Sequence, residues 1–391
     1  LNLRRILSIF ALMLMLIVSQ ACKREEEGAG ETMKRDSTNA SNANSQGADL
    51  GFRNAGLPGG GKVFKGTIDY KYKIQMTLRR EGDDLSGSYF YANKRTEIAL
   101  RGFVDKQGNL ILKEMDASGA QTGAFKGKWN EKPEGVELDG TWTKTNGKDE
   151  LAFYLMEQHV EFTSDWKITT KQIKEENKQH HFTIDVEYPQ IEGSDAEGVK
   201  KFNQEISSLV TKGVDEWKKG ASEETEEEDP VPEADDSSYD VSYNIEFAND
   251  DLISVLIDNS IYEHGAAHPS SASETFNYDL KSAKHIKLTE VFKPGAQYIR
   301  ALSDYCIEDL KKQSRKEDPN EPMLNDEDIE RGAAPEADNY TSWNITKKGL
   351  LITFDAYQVG PYAAGPQMVL VPYSALKDVI NPNGPAAPFL K

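Results

Sequence analysis

The residues best suited to chemistry are two histidines in the segment IYEHGAAHPS. His264 and His268 stand four positions apart, and on one face of a helix this spacing lets two imidazoles bind the same metal ion. The segment opposes a helix, because the residue before Pro269 disfavours the helical region and Gly265 favours a turn. The preceding run, LISVLIDNSIY, predicts a strand instead. We therefore predict a strand end and a tight turn, which Gly265 shapes and His268 fixes with donated hydrogen bonds.

No catalytic constellation is visible in the sequence. A metal-dependent hydrolase that uses His264 and His268 is kept as an alternative, but no metal, cofactor or catalytic residue is assigned. Ser/His/Asp and Cys/His sets are found only by choosing distant residues freely, which is no signal. We therefore expect the protein not to be an enzyme.

A second loop, QVGPYAAGP at residues 358–366, has the composition of a recognition loop. Two glycines and two prolines stiffen it, and Tyr357 and Tyr362 offer aromatic surface. Rigid loops with tyrosines suit recognition, because little side-chain entropy is lost on binding. A tight hairpin turn with a buried tyrosine explains the same pattern. The candidate binding residues of the two loops are Gly265, His268, Pro269, Tyr357, Gly360, Pro361, Tyr362 and Gly365.

The first residues are typical of an export signal. Arg4 and Arg5 precede an apolar run, residues 6–18, which is too short to span a bilayer but fits a secretory signal peptide. Cys22 is similar to the acceptor cysteine of a bacterial lipobox, although a serine stands where Leu or Val is usual. We expect removal of residues 1–21 and a lipid on Cys22 that anchors the protein in the cell envelope, at the outer membrane, in the periplasm or at the cell surface. Plain secretion is the alternative.

Charge and cysteine content limit the partners. The formal net charge is -19, and so acidic a surface repels nucleic acid and attracts cationic proteins. Cys306 is the only cysteine besides Cys22, and its helical spacing with apolar neighbours predicts a buried side chain. A lipid on Cys22 would leave no intramolecular disulfide. We therefore expect a membrane contact through the lipid and no nucleic-acid partner.

Sequence periodicity divides the remaining chain into three parts. Residues 22–62 are rich in Gly, Ser and Asn and predict a flexible tether. Residues 63–160 alternate short strands with turn signals, which predicts an all-β antiparallel meander or barrel of about eight strands. Residues 166–391 predict an α+β domain with an antiparallel sheet and two main helices. An acidic stretch at 221–238 predicts a disordered insertion in that domain.

Two amphipathic stretches predict the main helices. A crossover helix is expected over residues 198–219 and a second helix over 296–312, both covering one face of the sheet. Asn325 is predicted to cap a short helix that has Asp328 in its first turn.

Residues 178–380 resemble the extracellular domain of the RsiV-type anti-sigma factors. The resemblance lies in YPQIEG with the helix VKKFNQEI, in GAAHPSSASETFNYDLKSAKHIKLTEVF, and in the terminal hairpin ITFDAYQVGPYAAGPQMVLVPYSAL. It implies a module that binds lysozyme. Other relatives join this module to a polysaccharide deacetylase domain, but within residues 63–165 no Asp-Asp pair or His-x-x-x-His lies on a suitable element for such a domain. We also expect the protein to lack the cytoplasmic anti-sigma segment and the spanning helix of that family.

The sequence thus predicts a lipid-anchored, non-enzymatic binding module of the cell envelope. A lysozyme-like cationic protein is the expected ligand, since the net negative charge would speed its capture. A protein that binds peptidoglycan or another carbohydrate is the first alternative, with aromatic side chains stacking on sugars. The metal-dependent hydrolase is the second.

Overall fold

The computed structural model describes the chain from residue 61 onward, with short gaps. The described residues are 61–92, 94, 96–145, 147, 150–224, 236–317 and 322–390. The predicted signal peptide, the lipidation site Cys22 and the predicted tether up to residue 60 lie outside them. Among the helices of this part, none is long and apolar enough to cross a bilayer.

Eight antiparallel strands close into a barrel. They are β1 (Lys62–Ile68), β2 (Tyr72–Glu81), β3 (Asp84–Tyr91), β4 (Ile98–Val104), β5 (Asn109–Met115), β6 (Gln121–Glu131), β7 (Val136–Lys144) and β8 (Glu150–Gln158). Each strand pairs with the next and β1 pairs with β8, which leaves no open edge. Alternate side chains such as Phe64, Phe125 and Leu155 fill the interior and are fully buried. The predicted all-β domain of about eight strands is confirmed.

The recurring glycines of the barrel strands have a steric cause. A Cβ on Gly102 would stand 1.8 Å from the backbone oxygen of Ile111, and one on Gly127 would stand 1.8 Å from that of Asp139. Neighbouring strands therefore approach too closely at these points for any side chain. Glycine permits this approach where a small barrel curves most strongly.

A six-stranded sheet follows the barrel. Its elements are β9 (Lys167–Asn177), β10 (Phe182–Glu192), helix α1 (Glu197–Glu224), β11 (Ser237–Ala248), β12 (Leu252–Tyr262), β13 (Ser270–Asp279) and β14 (Lys284–His285). The predicted antiparallel sheet needs one correction, because β10 and β11 pair in parallel. Helix α1 joins them, and a helical crossover returns the chain to the end at which the first strand began. The helix buries Phe202, Ile206 and Val210 in the core of this sheet.

A second, three-stranded sheet has its own core. The remaining elements are α2 (Leu288–Val291), α3 (Tyr298–Glu317), α4 (Asp326–Gly332), β15 (Trp343–Ile345), β16 (Gly349–Phe354) and β17 (Gln367–Pro372), with short 3-10 turns at Ala337–Tyr340, Tyr362–Ala364, Tyr373–Leu376 and Ala387–Phe389. The prediction that both main helices cover one face of one sheet is wrong. Leu302, Cys306 and Leu310 of α3 pack in the core of the small sheet. All six residues of β16 are buried, so the small sheet must pack against other elements, and α3 is one of them.

Three local predictions can be compared with the structure. Cys306 is fully buried, as expected, and Asn325 caps α4 by accepting a 2.8 Å hydrogen bond from the backbone N–H of Asp328. The predicted insertion at 221–238 is too wide at both ends. Helix α1 runs to Glu224, with Ala221 packed against the core, and β11 begins at Ser237. Residues 225–235 lie outside the described ranges.

The segment after β8 ties the barrel to the six-stranded sheet. The backbone N–H of His159 donates to the oxygen of Ile245 at 3.0 Å, and that of Ala248 donates to the oxygen of His159 at 2.8 Å. The side-chain oxygen of Gln158 accepts a 2.8 Å hydrogen bond from the N–H of Ile245. The barrel and the sheet are therefore joined by directed backbone bonds as well as by the connecting chain.

Candidate functional site

The two loops singled out in the sequence meet in space. The ring of His268 stacks on that of Tyr362, with centroids 3.7 Å apart and an interplanar angle of 18°. The ring of Tyr357 lies 5.5 Å from that of Tyr362, and 53% of Tyr357 is exposed. His268 and Tyr362 are half-buried. These three residues form one surface, called the aromatic surface below.

Hydrogen bonds fix the aromatic surface. The hydroxyl of Tyr362 donates to the backbone oxygen of Pro269 at 2.9 Å. The Nδ1 of His268 lies 2.9 Å from the same oxygen, which has no proton, so Nδ1 carries the hydrogen and donates. In the neutral ring Nε2 then accepts from the hydroxyl of Tyr357, 3.2 Å away. His268 thus fixes its own loop and binds it to the second loop.

Backbone geometry explains the composition of both loops. Gly265 and Gly365 have φ angles of 77° and 65°, which glycine adopts without steric cost. A Cβ on Gly360 would stand 2.3 Å from Cδ2 of Leu324. Pro361 precedes the 3-10 turn that carries Tyr362. Tyr357 itself has a φ of 70°, a strained conformation for a residue with a side chain.

The two histidines of the turn make different contacts. Both ring nitrogens of His268 are engaged within the aromatic surface, and the backbone N–H of His264 donates to Oγ of Ser237 at 3.0 Å. In the part of the chain that the structure describes, no group of three or more His, Cys, Asp or Glu residues is arranged to hold a metal ion. The geometry of the turn is the one predicted from Gly265 and Pro269.

Two buried carboxyl groups, one on β12 and one directly after β16, were not found from the sequence. Oδ1 of Asp355 accepts a 2.9 Å hydrogen bond from the backbone N–H of Ser273, and burial raises the pKa of Asp355. Burial, together with the charge of Asp355, raises the pKa of Asp258 to about 6. These two carboxyl groups can therefore hold a proton closer to neutral pH than exposed ones do, a property that functional sites often have. Only the tertiary fold brings them together, since 97 positions separate them.

Comparisons with known proteins match both loop segments. Residues 175–271 match the family model described as "Deacetylase PdaC", and residues 289–374 match that described as "Protein of unknown function (DUF3298)". Each match covers less than half of the chain. His268 lies in the first matched segment, whereas Tyr357 and Tyr362 lie in the second.

One curated relative is similar over part of its length. The peptidoglycan-N-acetylmuramic acid deacetylase PdaC of Bacillus subtilis (strain 168) is 24% identical over 179 residues, which are 46% of this chain and 37% of the relative. The chain thus spans little more than a third of the relative that it matches.

Two solved structures of the DUF3298 family are also similar. That of a Bacteroides fragilis protein has a TM-score of 0.45 and 18% identity and covers 59% of this chain and 98% of its own. That of a Pseudomonas aeruginosa protein has a TM-score of 0.37 and 14% identity and covers 55% of this chain and 95% of its own. Both TM-scores are below 0.5, so neither likeness supports an argument about function.

The expectation that the protein is not an enzyme is contradicted by these matches. A family model and a curated relative that are both named as deacetylases match the chain. The expectation depended on the lack of a local catalytic motif, and catalytic groups are often contributed by residues far apart in sequence. Asp258 and Asp355 show that the fold does assemble titratable groups in this way.

Proposed function

We propose that this protein acts at peptidoglycan and binds its glycan strands through the aromatic surface. The observation that carries the proposal is the stack of His268 on Tyr362 beside the exposed ring of Tyr357. Aromatic rings with a polar edge bind ligands that have both apolar and hydrogen-bonding groups. A sugar ring has both, since its C–H groups form an apolar face and its hydroxyls surround it.

The position of the surface supports a role common to both matched segments. His268 comes from the segment similar to deacetylase PdaC, and the two tyrosines come from the segment similar to DUF3298. The named substrate of the curated relative is the N-acetylmuramic acid of peptidoglycan. Because both matched segments contribute to the aromatic surface, we propose that a peptidoglycan glycan binds there.

The rigidity of the loops favours binding. The hydrogen bonds of His268 and Tyr362 hold the rings in place before any ligand arrives, so little conformational entropy is lost on binding. A protein that binds peptidoglycan lies outside the cytoplasm, and we propose a cell-envelope location. A lipid on Cys22 is our proposal for the anchor.

Co-sedimentation with purified peptidoglycan sacculi tests this function. Loss of a central aromatic anchor typically costs about 2 kcal/mol, so Tyr362→Ala is expected to weaken binding about thirtyfold. Tyr362→Phe keeps the ring and removes only the hydroxyl, and it should retain most of the affinity. Tyr70→Ala is the matched control, because Tyr70 is 85% exposed on the barrel.

The same samples report on turnover. Acetate released from N-acetylated sacculi is measured for the wild type and for Asp258→Asn, which removes one of the two buried carboxyl groups described above. Release that falls in Asp258→Asn would assign an enzymatic role to this site. Equal sedimentation of wild type, Tyr362→Ala and Tyr357→Ala, all with unchanged thermal unfolding, would contradict glycan binding by the aromatic surface.

A second candidate is binding of a lysozyme-like cationic protein. It is supported by the net charge of -19 and by the resemblance of residues 178–380 to the RsiV-type domain. Long-range attraction between exposed charges is screened by salt. Isothermal titration with lysozyme should therefore show affinity that falls with added salt and that Tyr357→Ala reduces further. If lysozyme titrated into an unrelated acidic protein gave the same heat of binding, a specific interaction would be excluded.

A further inference from the structure

A cavity of about 270 Å³ lies between the barrel and the six-stranded sheet. Strands β1, β2, β3 and β8 line it from the barrel, and β9 to β12 line it from the sheet. The hydrogen bonds of the junction after β8 hold these walls together. This volume is near the lower end for small-molecule pockets, which indicates a ligand smaller than a typical drug.

Two buried ammonium groups lie at the cavity, each beside a carboxylate but without a hydrogen bond of good geometry. The Nζ atoms of Lys65 and Lys73 are inaccessible to solvent, and neither makes a hydrogen bond to a described residue. The Nζ of Lys65 stands 3.2 Å above the ring of Tyr243 and 3.7 Å from a carboxylate oxygen of Glu187. Burial lowers the pKa of Lys65 to about 8. Buried donors without acceptors are costly and rare, so these atoms call for an acceptor.

Both positive charges at the cavity already have carboxyl partners. Lys73 forms an ion pair of 3.0 Å with Asp185, and Glu187 lies 4.0 Å from Lys73 and 3.7 Å from Lys65. Asp258 also lines the cavity, so two positive groups face three carboxyl groups. An anionic ligand would add an unpaired negative charge beside Glu187, which is itself buried. The missing acceptor is better supplied by a neutral ligand.

We propose that this cavity binds a single neutral sugar unit. Sugar hydroxyls accept hydrogen bonds from Lys65 and Lys73 and donate to the carboxylates, which no purely accepting group can do. The apolar part of the lining, including Phe90, Met156 and Tyr154, suits the C–H face of a sugar ring. The lining includes Asp258 but none of the three residues of the aromatic surface, and the inference does not depend on the function proposed for that surface.

Equilibrium binding of three probes tests the inference. Glucose, galactose and N-acetylglucosamine are titrated into the full chain by isothermal calorimetry. At least one of them is expected to bind, and Lys65→Met and Lys73→Met should each weaken that binding about tenfold or more, because a hydrogen bond from a charged donor is lost. Lys113→Met is the matched control, since Lys113 is an exposed lysine of β5.

A second measurement does not require the lysine variants to fold. Acetic anhydride can acetylate the buried amine of Lys65 only when the cavity opens transiently, and mass spectrometry of the peptide that contains Lys65 measures this rate. The bound sugar should slow this rate several-fold and leave that of Lys113 unchanged, also in a Tyr362→Ala background in which the aromatic surface is removed. If no probe gives heat or protection, the cavity holds water only and the inference is wrong. It is equally wrong if Lys65→Met binds as the wild type does.

Discussion

The buried carboxyl group of Glu246 should make the stability of the protein depend on pH. Glu246 lies on β11 beside an irregularity between Ile245 and Phe247, and only 6% of it is exposed. Burial, with smaller contributions from the charges of Asp258 and Glu134, raises its pKa from 4.5 to about 8. The folded state therefore keeps a proton that the unfolded chain loses above about pH 4.5.

The sign and size of the effect follow from this difference in proton binding. Between about pH 4.5 and about pH 8 the folded state binds more protons than the unfolded state, so the free energy of unfolding falls as the pH rises. The slope is about 1.4 kcal/mol per pH unit, which gives at most about 5 kcal/mol over the whole window. Below this window the carboxyl group is protonated in both states and contributes no pH dependence.

Glu246→Gln removes this effect, because the amide stays neutral at every pH. Urea unfolding between about pH 5 and about pH 8.5 should show the stability of the variant rising relative to the wild type by several kcal/mol across the window. Glu97→Gln, a change at an exposed position of the barrel, is the control and should leave the profile unchanged. Parallel profiles for the wild type and Glu246→Gln would refute the assignment of a buried, protonated carboxyl group.

Three further predictions concern the fold. Gly102→Ala places a methyl group against the backbone oxygen of Ile111 and should cost more than about 2 kcal/mol in urea unfolding, whereas Gly82→Ala, with open space around it, is strained by its φ of 64° alone. In a Cys22→Ser background, Cys306 should react with a thiol reagent only on unfolding, because it is fully buried and burial raises the pKa of its thiol; rapid labelling of the native chain would contradict this. Asn325→Ala should lower stability by about 1 kcal/mol through loss of the helix cap, and Asn325→Asp should restore most of it.

The sequence predicted correctly those elements that depend on interactions between residues close together in the chain. Alternating apolar residues and turn signals located the barrel strands, and the spacing from Val199 to Val214 located α1. Gly265 and Pro269 indicated a tight turn, and the structure has a φ of 77° at Gly265. In each case the signal lies within a few residues of the structure that it predicts.

Features that depend on distant parts of the chain were missed. The parallel pairing of β10 with β11 follows from where α1 returns the chain, which periodicity does not encode. The strands β15 to β17 were predicted to belong to the larger sheet, because the alternation of apolar residues does not show with which strand each one pairs. Lys65 and Lys73 look like ordinary exposed lysines of β-strands in the sequence, and only the junction with the sheet buries their ammonium groups. The two recognition loops were identified separately, but their contact was not predicted.

Hydrogen–deuterium exchange with soluble peptidoglycan fragments tests the central claim most directly, because it locates the ligand. The account predicts slower exchange in both loops, around His268 and around Tyr362, when the fragments are bound, and no such protection in Tyr357→Ala. Protection confined to the barrel, or equal exchange with and without the fragments at saturating concentration, would contradict a glycan site on the aromatic surface.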